Sequence, residues 1–135
     1  MDKKTIAFVC VHNSCRSQIS EGWAKHLGSD VIDAYSAGIE KYHQVKPLAV
    51  QVMEEAGVEM SDHRPKLLED IPLEVDILIS MGCGVVCPFV LCKYEEDWEI
   101  EDPSGGPIED FRVTRDILKE RVLNLVEDIK AGKYD

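Results

Sequence analysis

Five residues separate Cys10 from Arg16 in Cys10-Val11-His12-Asn13-Ser14-Cys15-Arg16, and Ser17 follows at once. An apolar run, Ile6-Ala7-Phe8-Val9, leads into this segment, and helical periodicity leads out of it. A Cys-x5-Arg loop placed between a strand and a helix can bind and attack a tetrahedral oxyanion. The backbone N–H groups of residues 11–16 can curl around three anion oxygens, aided by the positive end of the helix dipole. Arg16 offers a planar fork to two of those oxygens. The same field favours a thiolate at Cys10, and the thiolate is the nucleophile. Val11, His12, Asn13, Ser14, Cys15, Arg16 and Ser17 are therefore the candidate oxyanion-binding residues. Within the set, Asn13 holds the turn, Ser17 donates to the Cys10 sulfur, and Cys15 reads as structural. The bare spacing is weak as a motif; strand, serine and helix together give it weight.

The oxygen that leaves in such an attack needs a proton, and a loop carboxylic acid is the usual supplier. Glu101-Asp102-Pro103-Ser104-Gly105-Gly106 is an irregular, glycine-rich stretch. Pro103 forces Asp102 into an extended conformation, which fixes its side-chain direction. Asp102 is the candidate general acid; standing alone it would read as a solvated turn residue.

Three further cysteines, Cys83, Cys87 and Cys92, cluster after the apolar run Val75–Met81. Gly82 and Gly84 would let Met81-Gly82-Cys83-Gly84-Val85-Val86-Cys87-Pro88 move, as a disulfide relay requires. Buried thiols are the alternative. A zinc site has less support, because the spacings lack a Cys-x2-Cys knuckle and no His follows at ligand distance. His12, His26, His43 and His63 show no ligand spacing and read as ordinary, and Trp23 and Trp98 read as packing residues. Neither a metal nor a cofactor is expected.

The elements that must position these groups follow from apolar periodicity. Residues 4–10 read as a fully buried strand. A helix over about 15–27 carries Ile19, Trp23 and Leu27 on one face, with Gly28 as its stop. Val31 to Ser36 reads as a strand ended by Ala37-Gly38. Pro47 opens a second helix, with Leu48, Val52 and Ala56 on one stripe and Gly57 at its end. Val75–Met81 is a third strand, and Asp97–Ile100 a short fourth. From Pro107 a last helix presents Phe111, Leu118, Val122, Leu125 and Ile129. Alternating strands and helices imply an α/β fold: a four-stranded parallel sheet with helices on both faces. Ligands in such folds sit beyond the carboxyl ends of the strands, where Cys10, Ser36 and the 82–88 segment converge.

The chain of 135 residues reads as a single domain, 1–135, and its 44 % hydrophobic and 30 % charged residues are those of a soluble globular protein. A net charge of −11 argues against a nucleic-acid partner. No apolar stretch is long enough to span a membrane, so the expected location is the cytoplasm. Five cysteines in such a chain do not read as a disulfide framework.

A strand running into Cys-x5-Arg-Ser, with Asp-Pro late in the chain, resembles the low-molecular-weight protein tyrosine phosphatase fold. In its particulars the chain is similar to the arsenate reductases of that fold. Cys10 through Gln18 with Glu21-Gly22, Tyr35-Ser36-Ala37-Gly38 and Asp102-Pro103-Ser104-Gly105 match their landmarks over essentially the whole chain. The phosphatases usually place Pro where this chain has Gln18, and tyrosines soon after Asp-Pro; neither is present. The resemblance implies that Cys10 attacks arsenate and that Asp102 protonates the departing hydroxyl. Cys83 then attacks Cys10, releasing arsenite, and Cys87 resolves the disulfide, with Cys92 in reserve. Thioredoxin is the favoured electron donor, with glutaredoxin or a low-molecular-weight thiol as alternatives. Cys83 and Cys87 are closer together than in most thioredoxin-coupled members. Some members bind potassium through an Asn, a Glu, a Ser and an Asp. Asn13, Glu21 and Ser36 match, but Lys66 stands at the Asp position, so its ammonium should occupy the cation's place. The competing functions are a phosphatase acting on phosphotyrosine or a small phosphate ester, and a thiol-based binder of arsenite or metal.

Overall fold

The computed structural model describes residues 3–82 and 90–135; Cys83 and Cys87 lie outside the described residues. Four strands, β1 (Lys4–Cys10), β2 (Ile32–Gly38), β3 (Glu74–Ser80) and β4 (Leu91–Asp97), alternate with three helices. The helices are α1 (Arg16–Leu27), α2 (Pro47–Glu55) and α3 (Ile108–Lys130), with a short 3₁₀ turn at Leu68–Asp70. All strand pairs are parallel, in the order β2-β1-β3-β4. The expected four-stranded parallel α/β sheet is therefore present, with the three described α-helices packed on one face rather than on both.

β1 is central, and alternate residues enter different cores, as the period of two demands. Ile6 and Phe8 join Ile19, Trp23, Val52, Leu118 and Val122 in the larger core, beneath all three α-helices. Ala7 and Val9 join Val75, Leu78 and Ile71 in a smaller core on the other face, covered by the 3₁₀ turn through Leu68. No helix of the described residues is long and apolar enough to cross a membrane.

Four expectations need correcting. The fourth strand lies at Leu91–Asp97, not Asp97–Ile100. Its mostly exposed, charged sequence suits a protected sheet edge and hides the usual alternation. Trp98 and Ile100, whose apolar character suggested a strand, are buried just beyond it. The second strand runs through Ala37 to Gly38, which pairs with Cys10. The buried stripe of α2 is Ala49, Val52 and Met53, while Ala56 is exposed. Gly28 ends α1 without left-handed geometry: it is small because a Cβ there would sit 2.7 Å from Val126 Cγ2 of α3. Gly57 does take φ +85°, and the Val58 N–H reaches back 2.9 Å to Met53 O, closing α2 as expected.

Gly38 ties the sheet to the loop after β1. A Cβ there would lie 2.7 Å from His12 C and Val11 O and 2.8 Å from Asn13 N. These are backbone atoms held in place, so they cannot swing aside. Gly38→Ala is expected to cost about 1–3 kcal/mol of stability, measured by urea unfolding. An unchanged midpoint would show that the loop yields freely.

Candidate active site

The loop Val11–Cys15 bridges the end of β1 to the start of α1 and is tied down from three sides. Val11 O accepts the N–H groups of Ile39 (2.8 Å) and Glu40 (2.9 Å), and Ser14 O accepts that of Lys46 (2.7 Å). From the third side, the Lys66 N–H donates to Asn13 Oδ1 at 2.9 Å. Asn13 is fully buried with φ 53°, the left-handed turn that Asn tolerates. Its Nδ2 donates to Ser17 Oγ (2.7 Å), which lies 2.9 Å from Cys10 Sγ. Asn13 and Ser17 thus occupy the places the sequence assigned them.

Helix α1 starts with Cys15 at its N-cap and no side-chain cap. Its first N–H groups are therefore open to an anion. Cys10, Val11, His12, Ser14, Cys15 and Arg16 line a cavity of about 320 Å³, closed by Tyr42, Lys46, Asp102 and Ser104. Arg16 differs from the expected free fork. Its Nη1 donates to Met81 O (2.9 Å) and Ile100 O (2.8 Å), leaving Nη2 and Nε for an anion. Nη2 stands 3.8 Å from Asp102 Oδ2.

Asp102 is half-exposed on the loop before α3, and its Oδ1 accepts the Ser104 N–H at 3.0 Å. This local turn, together with Pro103, aims the carboxyl at the cavity. Burial works to raise its pKa, but the Ser104 hydrogen bonds and the charges of Arg16 and Lys46 outweigh it, holding the carboxyl below its ordinary value. For Cys15 the balance is opposite. Burial, then the charges of Asp102 and Cys10, push its thiol far up, fitting a structural role.

Beneath the loop, Glu21 is buried and bonded to Ser36 and Lys25, with Lys66 Nζ 3.4 Å from both Glu21 Oε1 and Ser36 Oγ. Lys66 thus sits at the centre of the residues compared with a potassium site. His63 was read as ordinary, but its Nδ1 lies 2.9 Å from Gln18 Oε1, and Gln18 Nε2 donates to Asn13 Oδ1 at 2.8 Å. His12, expected among the oxyanion-binding residues, lines the cavity and pairs with Glu40 at 3.0 Å. Tyr42 and Lys46 were missed. They lie far from the Cys10 motif in sequence, and only the approach of residues 39–46 to the loop brings them in.

Cys92, in reserve for the relay, stands far from Cys10. It pairs in register with Val75 at the amino end of β4, while Cys10 stands at the carboxyl end of β1. The separation along the sheet is about six residues, or roughly 20 Å. Met81, whose carbonyl Arg16 holds, is two residues before Cys83 in the sequence.

Comparison with known proteins gives a consistent set of relatives. Residues 5–134 match the family described as low molecular weight phosphotyrosine protein phosphatase. A glutaredoxin arsenate reductase of Synechocystis sp. is 43 % identical over 130 residues, covering 93 % of this chain and 98 % of that one. A solved arsenate reductase in its phosphate-binding state superposes with a TM-score of 0.86 at 43 % identity, with the same coverage. The thioredoxin-dependent arsenate reductase of Corynebacterium glutamicum superposes with a TM-score of 0.79 at 30 % identity, covering 97 % of this chain and 64 % of that one.

Two outcomes follow from the ammonium beneath the loop. Exchanging potassium for sodium at constant ionic strength should leave turnover and the unfolding midpoint unchanged; a steep rise with potassium would show that Lys66 leaves room for the ion. Burial works to raise the Glu21 carboxyl, but bonds from Lys25 and Ser36 and the charge of Lys66 hold it below its ordinary value. The native state then favours the carboxylate. Its stabilisation is complete above the unfolded value of about 4.3 and is lost as pH falls through the native value. Urea unfolding from pH 6 to 3 should therefore show an acid loss that Glu21→Gln flattens; parallel curves would remove Glu21 from that account.

Proposed function

The chain belongs to the low molecular weight phosphotyrosine protein phosphatase family, and from that premise we propose that it reduces arsenate to arsenite with electrons from an external thiol donor. The observation that carries the reading is Cys10 Sγ held 2.9 Å from Ser17 Oγ inside a cavity shared with Arg16, Asp102 and an uncapped helix N-terminus. The 43 % identical relatives named as arsenate reductases support it over hydrolysis of a phosphate ester.

The N–H groups of the loop and the free side of Arg16 bind the oxyanion and take up the charge that develops on its oxygens. The Cys10 thiolate attacks arsenic in line with the departing hydroxyl. Asp102 is a carboxylate before substrate binds. A bound anion offsets the charges of Arg16 and Lys46, raising its affinity for a proton. Dihydrogen arsenate supplies that proton, Asp102 passes it to the hydroxyl, and water leaves with the Cys10–arsenic bond formed. The Cys83 thiolate then attacks Cys10 Sγ. The sulfur–arsenic bond breaks with its electron pair on arsenic, giving arsenite and a Cys10–Cys83 disulfide. Cys87 attacks Cys83, restoring Cys10 and leaving a Cys83–Cys87 disulfide. A dithiol protein removes such a product by exchange, so thioredoxin is the donor proposed first, with the thioredoxin-dependent relative in support. Glutaredoxin is the alternative suggested by the name of the Synechocystis relative.

Oxidation of NADPH by thioredoxin reductase, thioredoxin and arsenate tests the scheme. Cys10→Ser, Cys83→Ser and Cys87→Ser should each abolish turnover, while Cys92→Ser should retain it. Asp102→Asn should lower kcat by about 10²–10⁴-fold. Oxidation only with glutaredoxin and glutathione would reassign the donor. Hydrolysis of p-nitrophenyl phosphate at enzymatic rates, kept by Cys83→Ser and Cys87→Ser but without arsenate reduction, would establish the phosphatase instead.

A further inference from the structure

The reaction brings a thiolate and an oxyanion together inside a chain of net charge −11. Arg16 is only partly free to offset that charge, because Nη1 is bound to Met81 O and Ile100 O. A second positive group lines the same cavity. We propose that Lys46 is an oxyanion-binding residue, its ammonium contacting an oxygen of the bound tetrahedral oxyanion opposite Arg16, with Tyr42 as its positioning residue.

Geometry carries the assignment. The Lys46 N–H donates to Ser14 O at 2.7 Å, so its backbone is fixed to the loop that holds the anion. Its Nζ donates to Tyr42 Oη at 2.8 Å, and both side chains are half-buried in the cavity wall. Tyr42 is braced by ring contacts to His12 (4.9 Å between centroids) and His43 (4.6 Å). The cavity wall thus presents the ammonium on a restrained side chain. Two donor hydrogens of the ammonium stay available after the bond to Tyr42. Asp102 and Cys15 line the same cavity, and the Lys46 charge acts to lower the pKa of both. Lys66, by contrast, faces Glu21 and Ser36 beneath the loop.

The proposal deepens the arsenate reading and rests on it for the identity of the substrate. Its test does not, because sulfate is a permanent tetrahedral dianion that cannot be reduced here. Calorimetric titration of the reduced protein with sulfate should give a dissociation constant about tenfold higher for Lys46→Gln, equivalent to about 1.4 kcal/mol. Lys46→Arg should stay within about threefold of the native chain, and Tyr42→Phe should weaken binding by about threefold. With arsenate, Lys46→Gln should raise KM about tenfold at nearly constant kcat, and its urea midpoint should stay native. Unchanged sulfate affinity in Lys46→Gln would overturn the proposal, as would an equal loss in Lys46→Arg or a lowered urea midpoint, which would mark a structural lysine. A native chain that binds no sulfate would also overturn it. Native binding of sulfate with the Lys46→Gln loss, but without arsenate reduction, would leave Lys46 in place and reject the reductase reading alone.

Discussion

The amide of Asn13 is the constraint on which the nucleophile loop depends. Its Oδ1 accepts a backbone N–H, that of Lys66, so the carbonyl end can face only that way. Nδ2 must then point to Ser17 Oγ and donate to it. With that lone pair of Ser17 engaged, its own hydroxyl hydrogen is free to turn toward Cys10 Sγ. A second backbone atom fixes the next amide: Gln18 Nε2 donates to Arg64 O at 2.8 Å, so Gln18 Oε1 faces His63 and accepts from a protonated Nδ1. Burial lowers the pKa of His63, and the neutral ring with hydrogen on Nδ1 satisfies the arrangement. Two main-chain groups thus orient a chain of side chains that ends at the sulfur.

Against this fixed geometry, the charge balance of the whole chain matters less than its sign suggests. Screening limits exposed charges to about 8–10 Å at physiological salt. The cavity gathers loop N–H dipoles, the free side of Arg16 and the Lys46 ammonium within that range. Acidic residues outnumber basic ones across the chain, but water and salt weaken those that are exposed. Local field and net charge therefore oppose each other within the cavity.

Much of this was legible in the sequence because the relevant signals are local. β1, α1 and the Cys10–Ser17 loop are contiguous, so one stretch encodes strand, anion loop and helix start together. The buried apolar stripe of α3 was equally plain, since a long helix repeats its signal many times. What the sequence hid was long-range or unpatterned. β4 is an edge strand whose charged residues carry no alternation, so its existence depends on pairing with β3. Arg16 looked like a free fork because its carbonyl partners, Met81 and Ile100, are distant in sequence. Lys46, Tyr42 and His63 carry no spacing signal, and chain crossing alone assigns them to the site.

Lys66 differs physically from a bound ion in the same place. A dissociable cation would make the charge beneath the loop depend on its concentration in solution. An ammonium carried on the chain is present in every folded molecule, and the same residue's backbone N–H fixes Asn13. One residue therefore both orients the loop and adds to the neutralisation of buried Glu21 that Lys25 and Ser36 begin. A substitution that keeps the backbone but removes the ammonium separates them: the Asn13 bond would remain while Glu21 loses a positive neighbour. The fold thus places the charge and the hydrogen-bond donor on the same connection between α2 and β3, residues 56–73, and that connection helps to set the conformation of the nucleophile loop.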